Sequence, residues 1–287
     1  MPEILDGKKI AAEIQADVRE KFAALAADRT TPPKLVSIVA GQQKDARLYV
    51  KMQRRAAESI GIGFDIIEFD DHISQEEVIS SVKALNEDDA VTSIIIQHPL
   101  PNGMVHDTVV SMIAPEKDAE GIHPLNLGKI FRQDAEIVPC TPGAVMKILR
   151  VREVDLYGKN VVIVGHSPIV GKPLSLMMLN ETATTSVCHL GTAEKGDVRK
   201  YTRDADVLVV AVGKAGLVKK DWVKEGVIII DVGINNISGK IVGDVDFEAV
   251  APKASIITPV PGGVGPVTVS ILMRNVLRGY RIQHEKL

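Results

Sequence analysis

Aromatic residues are scarce in this 287-residue chain: five Phe, four Tyr and one Trp. So few rings argue against a base-stacking platform for single-stranded nucleic acid. A formal net charge of −3 gives no electrostatic reason for a nucleic-acid partner either. The two cysteines, Cys140 and Cys188, are too few for a secreted disulfide framework and point to a reduced, cytoplasmic setting. No grouping of Cys and His has metal-ligand spacing, so no metal is expected. No apolar run approaches the roughly twenty residues of a membrane-spanning helix. Met1–Gly7 carries acids where a signal peptide needs an apolar stretch, so none is expected. What is left is an ordinary globular composition, long enough for one large domain or two moderate ones.

The pattern along the chain alternates short β-rich runs with helical segments. Apolar residues at helical spacing (Ile10, Ile14, Val18, Phe22, Leu25) predict a helix over residues 6–27. Strands are predicted at 34–41, 63–69 and 91–97, with helices at 45–61 and 75–86 between them. The rhythm restarts after Pro139-Cys140-Thr141-Pro142-Gly143, with a helix through Leu149 and strands at 161–164, 185–188, 207–212 and 227–232. The last of these is apolar on both faces, as a central parallel strand is. A terminal helix is expected from Val267 to about Gln283. Together these predict an α/β fold of two lobes built from parallel βαβ units, with the final helix returning to the first lobe. A cleft between lobes is a common meeting place for cofactor and substrate.

The most informative window is Gly165-His166-Ser167-Pro168-Ile169-Val170-Gly171, which follows the apolar run Val161–Val164 directly. A strand that breaks into a glycine turn and then a helix is the usual cradle for a nucleotide pyrophosphate, because the glycines let backbone amides approach the phosphates. The spacing is G-x-S-x-x-x-G and not G-x-G-x-x-G, so the window alone also fits a tight turn that binds nothing.

Several windows together resemble the methylenetetrahydrofolate dehydrogenase/cyclohydrolases. These are Leu48-Tyr49-Val50, Gln97-His98-Pro99-Leu100-Pro101, Pro115 to Gly121, Pro139 to Pro142, Gly165 to Pro173, Asp231 to Asn235, Val242 to Val245 and Pro261 to Thr268. They occur in the family's order and cover nearly the whole chain. The resemblance implies a folate-binding catalytic domain over 1–140 plus 267–287 and a Rossmann-like NAD(P)-binding domain over 141–266. It further implies NADP as cofactor with NAD held open, a tetrahydrofolate one-carbon derivative as substrate, and a homodimer. The family oxidises the methylene bridge of 5,10-methylenetetrahydrofolate and then hydrolyses the methenyl cation to 10-formyltetrahydrofolate.

By the same resemblance, Tyr49 stacks on the pterin and Gln97 is the active-site glutamine. Pro99, Leu100, Glu120, Pro261, Gly262 and Gly263 border the substrate. Thr141, Gly165, His166, Ser167, Ile169, Val170, Gly171, Val212, Gly213, Ile234 and Thr268 border the cofactor. Four positions depart from the family pattern. Gln53 stands where a catalytic lysine is usual, one helical turn after Tyr49, and an amide cannot carry charge or shuttle a proton in the same way. Lys51 lies on another helix face and is a poor substitute. Glu120 replaces an aspartate, Ala46 a serine and His98 a leucine. The expectation is therefore a dehydrogenase with weak hydrolase activity. A dehydrogenase of a related pterin adduct and a non-catalytic ligand-binding relative stay open as alternatives.

Overall fold

The computed structural model describes residues 2–26, 32–41, 44–101 and 103–284. Its strands are β1 (Glu3–Ile4), β2 (Lys34–Ala40), β3 (Gly63–Phe69), β4 (Ser93–Ile96), β5 (Asn160–Val164), β6 (Thr184–Cys188), β7 (Val207–Val210), β8 (Val227–Asp231), β9 (Asn235–Ile237), β10 (Lys240–Val242) and β11 (Ala254–Ile257). The chain divides into two compact units, Ala12–Cys140 with Val269–Leu287, and Met1–Ala11 with Thr141–Thr268.

The first unit is built on a parallel sheet in the order β3-β2-β4. Buried Val36, Ile38, Ile94 and Ile96 pack there against Val78 and Val82 of the helix Gln75–Glu87. That helix is capped at both ends by side chains. At its start Ser74 Oγ accepts from the Glu77 N–H at 3.2 Å while Glu77 Oε2 accepts from the Ser74 N–H at 3.0 Å, so two otherwise unpaired donors are satisfied. At its end the Lys117 ammonium donates to the carbonyls of Leu85, Asn86 and Asp88 at 3.0, 2.8 and 2.9 Å. A cation there meets the last carbonyls and the negative end of the helix dipole. Burial lowers the Lys117 pKa. Anchoring Lys117 fixes the following segment, and the Ala119 N–H donates to Ile94 O at 3.1 Å. Glu120 is thereby set beside the sheet.

The helix Val264–His284 ends in this unit, as the terminal apolar pattern predicts. Ser270 Oγ accepts from Gln15 Nε2 at 3.0 Å, and the Tyr280 ring lies 5.7 Å from that of Phe22. Asn275 Nδ2 donates to Ala119 O and Val138 O at 2.9 and 2.8 Å, bracketing Glu120.

The second unit carries six parallel strands in the order β1-β11-β8-β7-β5-β6. The continuously apolar β8 lies inside this sheet, between β11 and β7, as its two apolar faces require. Three features were absent from the sequence-based expectation. β1 and β11 are short and were not read as strands, and β9 and β10 form an antiparallel hairpin closed through Ser238 and Gly239, both at positive φ. Because β1 pairs with β11, residues Met1–Ala11 group with this unit and not with the folate lobe in which the sequence reading put them.

Candidate active site

In the first unit, the helix Lys44–Ile60 places Tyr49 and Gln53 one turn apart, and β4 delivers Gln97 just beyond its last residue. Gln53 is fully buried and Gln97 nearly so. Gln97 Nε2 donates to Gln53 Oε1 at 2.9 Å and to Ser37 Oγ at 3.0 Å. Gln53 Nε2 is buried and has no hydrogen-bond partner among the described residues. A buried orphan donor of this kind costs about 1–3 kcal/mol unless a ligand or water meets it. The sequence expectation of Tyr49, Gln53 and Gln97 as one group is compatible with this placement. Ser37 was missed, although a hydroxyl inside the apolar run Leu35–Ala40 was the signal for it.

Glu120 joins the same unit through a tightly built turn. Asp118 accepts from the N–H groups of Gly121 and His123 at 2.9 and 2.8 Å and from Asn126 Nδ2 at 2.9 Å. Gly121 adopts φ 75°, and a Cβ there would fall 2.3 Å from Val138 O, so only glycine fits. The Cys140 N–H closes the turn on Glu120 O at 3.1 Å. Burial, reinforced by the Asp118 charge, raises the Glu120 carboxyl to about 8. Burial first, and then Cys140 and Glu120, push the Tyr49 phenol up. The Glu120 side chain has no hydrogen-bond partner among the described residues. The arrangement offers a phenol, two amides and a carboxyl that ionises readily only when something positive or hydrogen-donating meets it.

Pro99 follows a cis peptide after His98, and Leu100 packs on the apolar core of the unit. His98 is exposed, its ring 5.0 Å from that of His106 in an edge-on arrangement. Burial lowers the His106 pKa, with His98 adding to the effect. The side chain of Ala46 lies outside the described residues. Arg54 stands over the Phe64 ring at 5.6 Å. Pro261, Gly262 and Gly263 fall in the other unit, where Gly262 O accepts from the Gly7 N–H at 3.0 Å.

In the second unit, β5 is followed by Gly165, whose φ of 127° only glycine adopts readily. A Cβ at Gly165 would lie 2.4 Å from Ala211 O, and one at Gly171 would lie 2.0 Å from Gly165 O. Both glycines are therefore required for the turn to close on itself, and the result is a cradle lined by backbone. Ser167 Oγ accepts from the Val170 N–H at 3.1 Å, shaping the turn before the helix Gly171–Asn180. This fits a dinucleotide pyrophosphate, which needs close backbone approach at a helix start. His166, Ile169, Val212 and Ile234 are exposed. Thr141 is half-buried. Thr268 is turned to its own helix, donating to Val264 O at 3.2 Å.

The N–H groups of Val212 and Gly213 are not free to meet a ligand. Asp244 Oδ2 accepts from both, at 2.7 and 3.0 Å, and Oδ1 accepts from the Lys214 N–H and Asn235 Nδ2 at 2.7 and 2.9 Å. Asp231 in turn accepts from the N–H groups of Gly233, Asp244 and Val245 at 3.1, 3.0 and 2.9 Å. Burial raises Asp231 to about 6. Sequence reasoning missed both roles, because their partners are main-chain groups that no residue type announces. A surface concavity of about 380 Å³ is lined by Arg150, Tyr157 and Glu181 among others and contains none of these site residues.

Among the described residues no helix is long and apolar enough to cross a membrane, and no group of three or more His, Cys, Asp or Glu is placed to hold a metal. Two family profiles match: the tetrahydrofolate dehydrogenase/cyclohydrolase catalytic domain over residues 5–120 and the NAD(P)-binding domain of the same family over 139–284. The chain is 48% identical over 274 residues to the bifunctional protein FolD of Methanosarcina barkeri, covering 96% of this chain and 94% of that protein. A crystal structure of the Campylobacter jejuni FolD methylenetetrahydrofolate dehydrogenase/cyclohydrolase is 42% identical, with a TM-score of 0.94 over 99% of this chain and 100% of that one. The Trypanosoma brucei N5,N10-methylenetetrahydrofolate dehydrogenase-cyclohydrolase, solved with NADP cofactor and an inhibitor, is 38% identical, with a TM-score of 0.93 over 99% of both chains.

Proposed function

The chain belongs to the tetrahydrofolate dehydrogenase/cyclohydrolase family, and on that premise we propose that it oxidises 5,10-methylenetetrahydrofolate with NADP and hydrolyses the resulting methenyl cation only weakly. The observation that carries the second half is the buried, uncharged set Ser37–Gln97–Gln53.

Oxidation asks little acid–base help, because a folate nitrogen lone pair expels the hydride as the cation forms. Positioning is the main demand. Tyr49 offers a ring face against the pterin, and Glu120 a carboxylate for its ring N–H and amino donors. Such donors favour the ionised form of a carboxyl that burial otherwise keeps protonated to about pH 8. The amides of Gln53 and Gln97 can orient the substrate without placing a positive charge beside a carbon that itself becomes cationic. Gly165, Ser167 and Gly171 would hold the pyrophosphate, with Thr141, His166, Ile169, Val170, Val212, Gly213, Ile234 and Thr268 around the rest. Bound NAD(P) supplies the two-electron oxidant.

Hydrolysis asks more. A water must be aimed at the cationic carbon and give up a proton as it attacks. Gln53 can donate to or accept from that water but takes no proton near neutral pH. The family reading also carries a cytoplasmic homodimer, which fractionation and sedimentation equilibrium test.

The deciding experiment pairs two assays on the full chain. NADP-dependent oxidation of methylenetetrahydrofolate is expected to be rapid. Enzyme-dependent loss of methenyltetrahydrofolate absorbance is expected to exceed the uncatalysed rate only slightly. Fast hydrolysis would remove the second half of the proposal, and no oxidation with either cofactor would remove the first.

A further inference from the structure

The terminal helix Val264–His284 turns a mixed face to the segment that ends in Glu120. Most of its buried positions are apolar, among them Ile271, Leu272, Val276 and Tyr280. Asn275, Gly279 and Gln283 break that pattern at intervals of four, which puts them in one row along the helix. Asn275 is fully buried, and its Nδ2 donates to Ala119 O and Val138 O at 2.9 and 2.8 Å and reaches Cys140 Sγ at 3.6 Å. Ala119 precedes Glu120, and Val138 lies against Gly121, which follows it. One turn further on, a Cβ at Gly279 would fall 2.5 Å from Glu116 O, so a side chain there would push the two segments apart. Gln283 Nε2 then donates to Thr92 O at 2.9 Å and to Glu116 O at 3.4 Å. From the other side Asn126 Nδ2 donates to Pro115 O at 2.8 Å. The carbonyls of Pro115, Glu116 and Ala119 are each held by a side-chain amide, two of them from the terminal helix. All of these residues lie in one unit.

The row weakens the helix that carries it. Glycine destabilises a helix interior. Asn275 Oδ1 is buried with no hydrogen-bond partner among the described residues, a penalty that an apolar side chain would not carry. Both departures face the same short segment, and departures from local rules collect where function sets the geometry. That segment is irregular between the turn Pro115–Lys117 and the helix Pro124–Arg132, and it joins the sheet only by the bridge of Asp118 to Ile94. What it delivers is the Glu120 carboxyl, which has no hydrogen-bond partner among the described residues.

We propose that Asn275 is a positioning residue for the folate substrate. It fixes both passes of the chain around Glu120, so that the carboxyl is held where the donors of a reduced pterin meet it, while Gly279 and Gln283 set the approach of the same segment. This rests on the role given to Glu120 in the function proposed above. Asn275 touches no reacting atom. Its effect falls on substrate affinity, because a binding group displaced by about 1 Å loses much of its interaction. The glycine turn assigned to the nucleotide belongs to the other unit and does not depend on this row.

The test is a double-mutant cycle on the full chain. Dissociation constants for tetrahydrofolate are read by calorimetry under anaerobic conditions, and those for NADPH from its fluorescence. Asn275→Ala is expected to raise the tetrahydrofolate Kd about tenfold and to leave the NADPH Kd within about twofold. Glu120→Gln should raise the tetrahydrofolate Kd at least as much. Added to Glu120→Gln, Asn275→Ala should change that Kd by less than about twofold, since the two residues act as one. Gln283→Leu should weaken tetrahydrofolate about threefold, and Asn275→Ser, which keeps one donor, should fall between wild type and Asn275→Ala. These two carry the cycle if Asn275→Ala does not fold. An equal loss with and without the Glu120 carboxylate, a parallel loss of NADPH affinity, or an unchanged tetrahydrofolate Kd overturns the proposal. If Glu120→Gln itself leaves the tetrahydrofolate Kd unchanged, the role of Glu120 proposed above falls and this proposal with it. If Glu120→Gln weakens binding and the Asn275 variants do not, this proposal falls alone.

Discussion

In the unit of Ala12–Cys140 and Val269–Leu287, neither the buried Gln53 Nε2 nor the Glu120 carboxyl has a hydrogen-bond partner among the described residues. In the other unit the buried carboxylates of Asp231 and Asp244 receive seven donors between them, six of which are main-chain N–H groups. At Gln53 and Glu120 the first unit keeps side-chain polarity unspent, although its Lys117, Asp118 and Asn275 are spent on holding the chain. The second uses it to fix the loops after β7 and β8, and leaves the glycine turn to bind through backbone. Buried polarity is thus left open around Gln53 and Glu120 and is closed into a scaffold around Asp231 and Asp244.

The sharpest way to break this contrast is to remove the scaffold. Asp244→Ala strands the N–H groups of Val212, Gly213 and Lys214 together, and should cost about 3 kcal/mol or more in chemical denaturation. A loss below about 1 kcal/mol would mean that these carboxylates are ornamental. Next in size is Gln53→Lys, which puts an ionisable amine where the orphan amide stands. Methenyltetrahydrofolate hydrolysis should rise on the order of 10²-fold, followed by absorbance. No rise would separate the orphan amide from the weak hydrolysis proposed above.

Glu120→Gln gives a smaller effect with a definite sign. Because burial raises this carboxyl from 4.5 to about 8, the folded protein holds a proton there that the unfolded chain releases. Its contribution to stability is complete below pH 4.5 and is lost as pH rises toward 8. The Tm advantage of Glu120→Gln over wild type should therefore grow between those limits and level off above them, reaching a few degrees. An advantage that shrinks with rising pH would show that Glu120 is paired in solution. Smallest is Ser37→Ala, which removes one partner of Gln97 and should cost about 1 kcal/mol, with Ser37→Thr recovering part of it if the hydroxyl matters.

The repeating strand–helix rhythm was readable because parallel strands buried on both faces, such as Val227–Asp231, are apolar throughout and are punctuated by glycine. β1, with two residues, and β11, reading Ala-Ser-Ile-Ile, carry too little pattern to be seen, since their identity as strands comes from pairing with each other and with β8. At the proposed site, the residues given a role from the sequence were those whose type announces one: Tyr49, Gln53, Gln97, Glu120 and the glycine turn. Ser37, Asn275 and Asp244 were not, because each acts on a partner distant in sequence or on the main chain.

The first strand and the last helix have one more consequence. β1 closes against β11, and the helix Val264–His284 completes the unit that the chain began with Ala12. During translation, then, neither body can finish while its synthesis is under way. The β2–β4 sheet emerges early and must wait, partly uncovered, for the helix Val264–His284, and Glu3–Ile4 must wait for Ala254–Ile257. A nascent chain of this protein leaves apolar surface of that sheet uncovered until the helix Val264–His284 has left the ribosome.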